Sequence, residues 1–144
     1  MRGKEISTSE FKQKTVALNI TVSSKKLNYN PFNLSEAEAL SAVQVAWVVS
    51  ERRVNGSKRK NDGVKIVLAY VIEPGTHNQK VVGVFVPNEN NGWTKSNTTY
   101  GNYTPPRFRL NFNGRIAEKA IVDNFIGRYL PPSKPGARNP VRYF

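Results

Sequence analysis

The chain's single histidine, His77, follows Glu73 by four residues, and Lys80 follows His77 by three. A carboxylate, an imidazole and an ammonium group are the parts of a metal-free ribonuclease: base, acid and phosphate anchor. Glu73 and His77 flank the dipeptide Pro74-Gly75, however, which has turn chemistry of its own. A solvated turn accounts for these residues without any shared task. Other catalytic kits are missing. There is no cysteine, so thiolate zinc sites, iron–sulfur clusters, disulfides and cysteine nucleophiles are excluded together. One histidine cannot supply a His-type metal site, and no Gly-rich phosphate loop of Walker or Rossmann type occurs. The acids number 10. Glu36 and Glu38 serve a helix start, and Glu118 and Asp123 lie in a later helical pattern. The chain therefore reads as non-enzymatic, without metal or cofactor. A small basic ribonuclease or toxin acting through His77 and Glu73 is the alternative.

The positive chemistry is cationic. Lys and Arg total 22 against 10 acids, a net charge of +12 with pI near 10.2. Charge of this size indicates polyanionic partners more than it indicates a fold. It is also gathered into zones. "ERRVNGSKRKNDG" (51–63) carries Arg52, Arg53, Lys58, Arg59 and Lys60 against Glu51 and Asp62. The N-terminal stretch adds Arg2, Lys4, Lys12 and Lys14. After Asp123 the chain has no acid but retains Lys134, Arg138 and Arg142. Cations of this kind bind phosphates with release of counterions.

Aromatic rings lie between bases in "GWTKSNTTYGNYTPPRFRLNF". Trp93, Tyr100 and Tyr103 alternate with Lys95, Arg107 and Arg109, and rings beside cations can stack unpaired bases while holding phosphate. Phe108 and Phe112 read as core, as do Trp47 and Tyr70. The apolar, aromatic end Val141, Tyr143, Phe144 closes a polar tail. It is expected to dock on a neighbouring subunit or to fold back on its own domain.

These groups need a scaffold, and 144 residues suit one domain with its own core. Residues 1–13 read as a flexible basic arm, 14–130 as one domain and 131–144 as an extended Pro-rich tail. "KTVALNITVSS" (14–24) alternates Val16, Leu18, Ile20 and Val22, a strand pattern. Ser35 with Glu38 forms a capping box, predicting a short helix over 35–40. From there Val43, Val45, Trp47 and Val49 alternate, predicting a strand over 42–54; the competing pattern is one helix through Arg53. Strands are predicted over 64–73 and 79–86, joined by the turn at Pro74-Gly75. Pairing of 42–54 with 64–73 would put the basic run at a hairpin tip. Residues 88–106 read as a long polar loop, 107–112 as a short strand, and "NGRIAEKAIVDNFIGRYL" (113–130) as a closing amphipathic helix. The expected fold class is α+β: an antiparallel sheet of four to five strands, a short helix in the N-terminal half, and a C-terminal helix on one face. The other face is expected to stay open to solvent or a partner.

No apolar run approaches the ~18 residues that suggest a membrane span, and "MRGKEISTSEFKQK" has no signal-peptide core. An intracellular setting, cytoplasmic or virion, is expected, with no membrane insertion. The five Asn-x-Ser/Thr sequons, at Asn19, Asn33, Asn55, Asn97 and Asn102, then read as by-products of composition. The overall expectation is a nucleic-acid-binding structural protein of capsid or nucleoprotein type, favouring single-stranded RNA or DNA, and a homo-oligomer. A module for an acidic protein partner is the third reading.

Overall fold

A computed structural model describes residues 5–57, 62–133 and 140–144. Lys58, Arg59, Lys60, Lys134 and Arg138 lie outside them. The protein is α+β, with a five-stranded mixed sheet in the order β6-β3-β2-β1-β7 and a two-stranded sheet, β4-β5. The strands are β1 (Thr15–Asn19), β2 (Ile66–Ile72), β3 (Gln79–Pro87), β4 (Trp93–Tyr100), β5 (Arg107–Phe112), β6 (Gly114–Ile116) and β7 (Val141–Tyr143). The helices are α1 (Thr21–Lys26), α2 (Glu36–Val43), α3 (Glu51–Asn55) and α4 (Lys119–Phe125).

β2 and β3 form the expected antiparallel hairpin, with Gly75 at φ 74° in its turn. Only glycine takes that backbone region without steric cost. The sheet is not wholly antiparallel, because β1 pairs parallel with β2, Thr15 opposite Ile66. Parallel neighbours need a long crossover, and α1, α2 and α3 supply it.

This crossover corrects the reading of 42–54 as a strand. The capping box forms, Glu38 N–H donating to Ser35 Oγ at 3.1 Å, but α2 runs on through Val43. Beyond it the chain turns at Gln44 and Val45, and Trp47 and Val49 are buried. Trp47 finds its backbone partner in Leu110 of β5, not in β2. The first strand is also shorter than its apolar alternation. It stops at Asn19, whose Oδ1 accepts from Thr21 N–H at 3.0 Å as α1 begins, and Val22 is left exposed.

Both faces of the large sheet are covered, so neither is the open face expected from the sequence. On one, Val16, Leu18, Val67, Ala69 and Phe85 pack with Ala39 and Val43 of α2, and with Trp93, Leu110 and Phe112 of the β4-β5 ribbon. On the other, Ala17, Leu68, Tyr70, Val81 and Val84 pack with Ile6, Phe125 and Leu130. Gly83 of β3 sits under α2. A Cβ there would meet the Phe85 ring at 2.7 Å and Ala39 Cβ at 3.2 Å. Gly83→Ala is therefore expected to destabilise the fold by about 1–3 kcal/mol through overpacking, measurable by urea denaturation.

Residues 88–106 are not one long loop, since β4 occupies 93–100. Its sequence WTKSNTTY looks polar because only its first residue reaches the core. The closing helix is also shorter than its pattern. Gly114–Ile116 pairs with β3, and α4 ends before Gly127 at φ 76°.

The two ends of the described chain are docked. Ile6 is fully buried and its N–H donates to Tyr129 O at 2.7 Å. Phe11 stacks on Phe125 and Phe144 at 5.8 and 4.4 Å between centroids. Residues 5–13 are thus not a loose arm. Likewise Val141, Tyr143 and Phe144 fold back in cis: β7 pairs antiparallel with β1, and Val141 is buried.

Glu10 receives two hydrogen bonds from Arg128, at 2.8 and 3.0 Å. Those bonds first, then the Ser7 backbone N–H, hold its carboxyl down at about 2 from 4.5. A depressed carboxyl stabilises the fold above its unfolded value and loses that contribution as pH falls. The stability gap between the native chain and Glu10→Gln is therefore expected to be full above about pH 5 and to close on acidification toward about 2. Thermal melts at stepped pH would show it.

Candidate nucleic-acid interface

The parallel register of β1 and β2 places their amino ends side by side. Lys14 immediately precedes β1, and its carbonyl accepts from Lys65 N–H at 2.8 Å. Lys14 Nζ donates to Asp62 O at 3.0 Å. The basic run begins on α3, where Ser50 caps the helix by accepting from Arg53 N–H at 3.3 Å. Val54 is buried beneath it and anchors the helix. Arg52 and Arg53 are thereby held exposed on a fixed turn.

The chain on either side of residues 58–61 is drawn into a pinched neck. Val64 N–H donates to Val54 O at 3.0 Å, and Ser57 N–H to Asp62 Oδ1 at 2.7 Å. A Cβ on Gly56 would sit 2.3 Å from Gly63 N, and one on Gly63 would sit 2.6 Å from Val54 O. The Asn-Gly and Asp-Gly pairs in the sequence thus draw the two flanks of the basic run together. This neck joins α3 to β2 and is not the tip of a β-hairpin.

β7 completes the site. Tyr143 Oη accepts from Ser50 N–H at 2.9 Å, and the Arg53 guanidinium lies 3.9 Å from the centre of the Tyr143 ring. A guanidinium held over a ring by its face keeps its in-plane N–H donors available to an anion. The result is a cleft of about 750 Å³ lined by Lys14, Arg52, Arg53, Ser57, Asp62 and Tyr143. Among the described residues its lining holds three cationic side chains and one acidic side chain, Asp62. Among the described residues the ion pairs are Lys119–Asp123 and Arg128–Glu10, both outside this cleft.

Other predicted residues fall elsewhere. Arg142 is half-buried: Nη1 donates to Gln79 Oε1 and to Pro131 O, each at 2.7 Å, and burial lowers its pKa. These bonds brace β7 and place Arg142 apart from the cleft. Trp93 is buried against Phe112 at 5.0 Å and is core, not a stacking platform. Tyr100, Tyr103 and Arg107 gather at the outer end of the β4-β5 ribbon, Lys95 lies opposite Leu110 at its base, and Arg109 falls between. His77 is exposed in its turn. No hydrogen bond joins it to Glu73 among the described residues, and the Glu73 carboxylate instead raises the pKa of Tyr129 by hydrogen bonding. No cluster of three potential metal ligands occurs among the described residues. No helix in them is long and apolar enough to cross a membrane.

Sequence reasoning put Lys14 at the boundary between arm and domain and left Tyr143 two destinations, a neighbouring subunit or its own domain. Nothing local in the sequence joins them to Arg53, because their meeting depends on the β1-β2 and β1-β7 pairings. No family model, curated protein or solved structure matches the chain.

Proposed function

We propose that the protein is a non-enzymatic nucleic-acid-binding protein that grips the phosphate backbone at the Lys14–Arg52–Arg53 cleft. One observation carries the reading: cations from distant parts of the chain converge in a single cleft beside the neck at Ser57 and Asp62, between which the sequence adds Lys58, Arg59 and Lys60. Folding brings like charges together here, against their mutual repulsion, and a bound polyanion relieves that cost. The guanidinium stacked on Tyr143 is held ready, which lowers the ordering cost of binding.

A coating or packaging role in many copies was suggested by the aromatic C-terminus. Its use in cis as β7 leaves the assembly reading resting on charge and composition alone. Binding is the part of the proposal with direct geometric support.

The test is fluorescence anisotropy with a labelled 20-nucleotide single strand across a salt series. Three phosphate contacts give a log–log slope of about −2 on a single strand, and participation of Lys58, Arg59 and Lys60 brings it to about −4. Absence of binding at low salt would overturn the proposal. So would RNA degradation that is abolished in His77→Ala.

A further inference from the structure

The β4-β5 ribbon leaves the core at Leu110, and every residue from Gly101 to Phe108 is exposed. Tyr103 and Phe108 keep 45% and 36% of their surface open to solvent on an otherwise polar ribbon. Each ring has a cation over it: Arg107 lies 3.9 Å from the Tyr103 centroid, and Lys95 lies 5.8 Å from that of Phe108. Tyr100 meets Tyr103 edge-on at 5.9 Å. Between Glu89 and Glu118 the chain carries Lys95, Arg107, Arg109 and Arg115 and no acid at all.

Building on the backbone-binding reading above, we infer that this ribbon selects single strands, stacking unpaired bases on Tyr103 and Phe108 while Arg107 and Lys95 hold the adjoining phosphates. Charge complementarity identifies the occupant: a ribbon with three cations, Lys95, Arg107 and Arg109, and no acidic side chain suits a polyanion. The rings narrow it further. Base faces are accessible only when bases are unpaired, whereas a duplex offers edges and phosphates. A base can take either side of the Arg107–Tyr103 pair, since ring and guanidinium are both flat, stackable surfaces. The ribbon thus adds base contact to the sequence-blind grip of the cleft, and Phe108 becomes a contact residue instead of a core one.

The experiment compares three probes by anisotropy at one salt concentration: a 20-nucleotide single strand, its duplex, and an abasic strand of the same length. Tyr103→Ala/Phe108→Ala is expected to weaken binding of the single strand by about 10- to 100-fold, with duplex and abasic strand within about threefold of the native protein. Tyr103→Trp, which keeps a stacking face, should retain single-strand affinity. Circular dichroism checks that the exposed ribbon variants remain folded. Equal loss on all three probes, or no loss on the single strand, would overturn the inference. If the native protein binds all three probes equally and Lys14→Glu/Arg52→Glu abolishes this, the cleft reading survives and the ribbon's role fails. Binding to none of the probes sinks both.

Discussion

Lys14→Glu/Arg52→Glu is expected to lower affinity for a single-stranded oligonucleotide by about 100-fold or more at moderate salt. Charge-assisted hydrogen bonds contribute about 1.5–3 kcal/mol each, so losing two gives about 3 kcal/mol at least, equivalent to about 100-fold. The introduced carboxylates then repel phosphate in addition. The salt slope should shrink by about one to two, the share of two contacts. Arg52 is the cleaner of the two positions, being exposed on α3. Lys14 also donates to Asp62 O at 3.0 Å, so a melting curve must accompany the binding data. The control is Lys25→Glu/Lys26→Glu on α1, which follows the opposite end of β1. It makes the same change in net charge. A general charge effect would weaken binding equally in both variants, whereas a localised cleft would leave the α1 variant close to native.

Removal of Val141–Phe144 is expected to lower the thermal midpoint by roughly 10–15 °C. The segment buries Val141, worth about 1.5–3 kcal/mol. Phe144 stacks on Phe11 at 4.4 Å between centroids and Arg53 lies over Tyr143, adding about 0.5–1.5 and 0.5–1 kcal/mol respectively. Together these give about 3–5 kcal/mol, and in a domain of this size each kilocalorie moves the midpoint by about 3 °C. Deletion also bares the edge of β1 that β7 covers, a template for unwanted pairing. Calorimetry at several protein concentrations separates the two uses of the tail. Docking in cis makes the native midpoint independent of concentration, while exchange between subunits would raise it with concentration. Val141→Asp offers a second route to the same loss, because an unpaired charge at a buried edge is strongly destabilising.

The elements that could be read from sequence were those whose signals are local. The β2-β3 hairpin declares itself by apolar runs around Pro74-Gly75, and α2 by the Ser35–Glu38 box. The missed elements depend on distant partners. Trp47 and Val49 do alternate inward, but alternation shows which side chains are buried, not which strand they pair with. Trp47's neighbour, Leu110, is 63 residues away. β4 was hidden because most of it is solvent-exposed, although Thr94, Thr98, Thr99 and Tyr100 carry strand propensity. The apolar residues on both faces of "TVALN" were a sign that β1 lies in the middle of the sheet, covered on both sides.

For the candidate site, Arg52 and Arg53 stood out by density of charge alone. Lys14 and Tyr143 did not, since proximity across 129 residues is set by register and not by composition. Arg142 shows the opposite failure. A cation counted as surface charge is half-buried and bonded within the fold to Gln79 and Pro131.

Backbone-amide NMR during titration with a 20-nucleotide single strand tests the central claim most directly. The account predicts the largest shifts at Lys14, Arg52, Arg53, Gly56, Ser57 and Tyr143, fading at high salt, with Lys25 and Lys26 unmoved. Shifts centred on α1 or on the His77 turn, or spread evenly over the molecule, would contradict it.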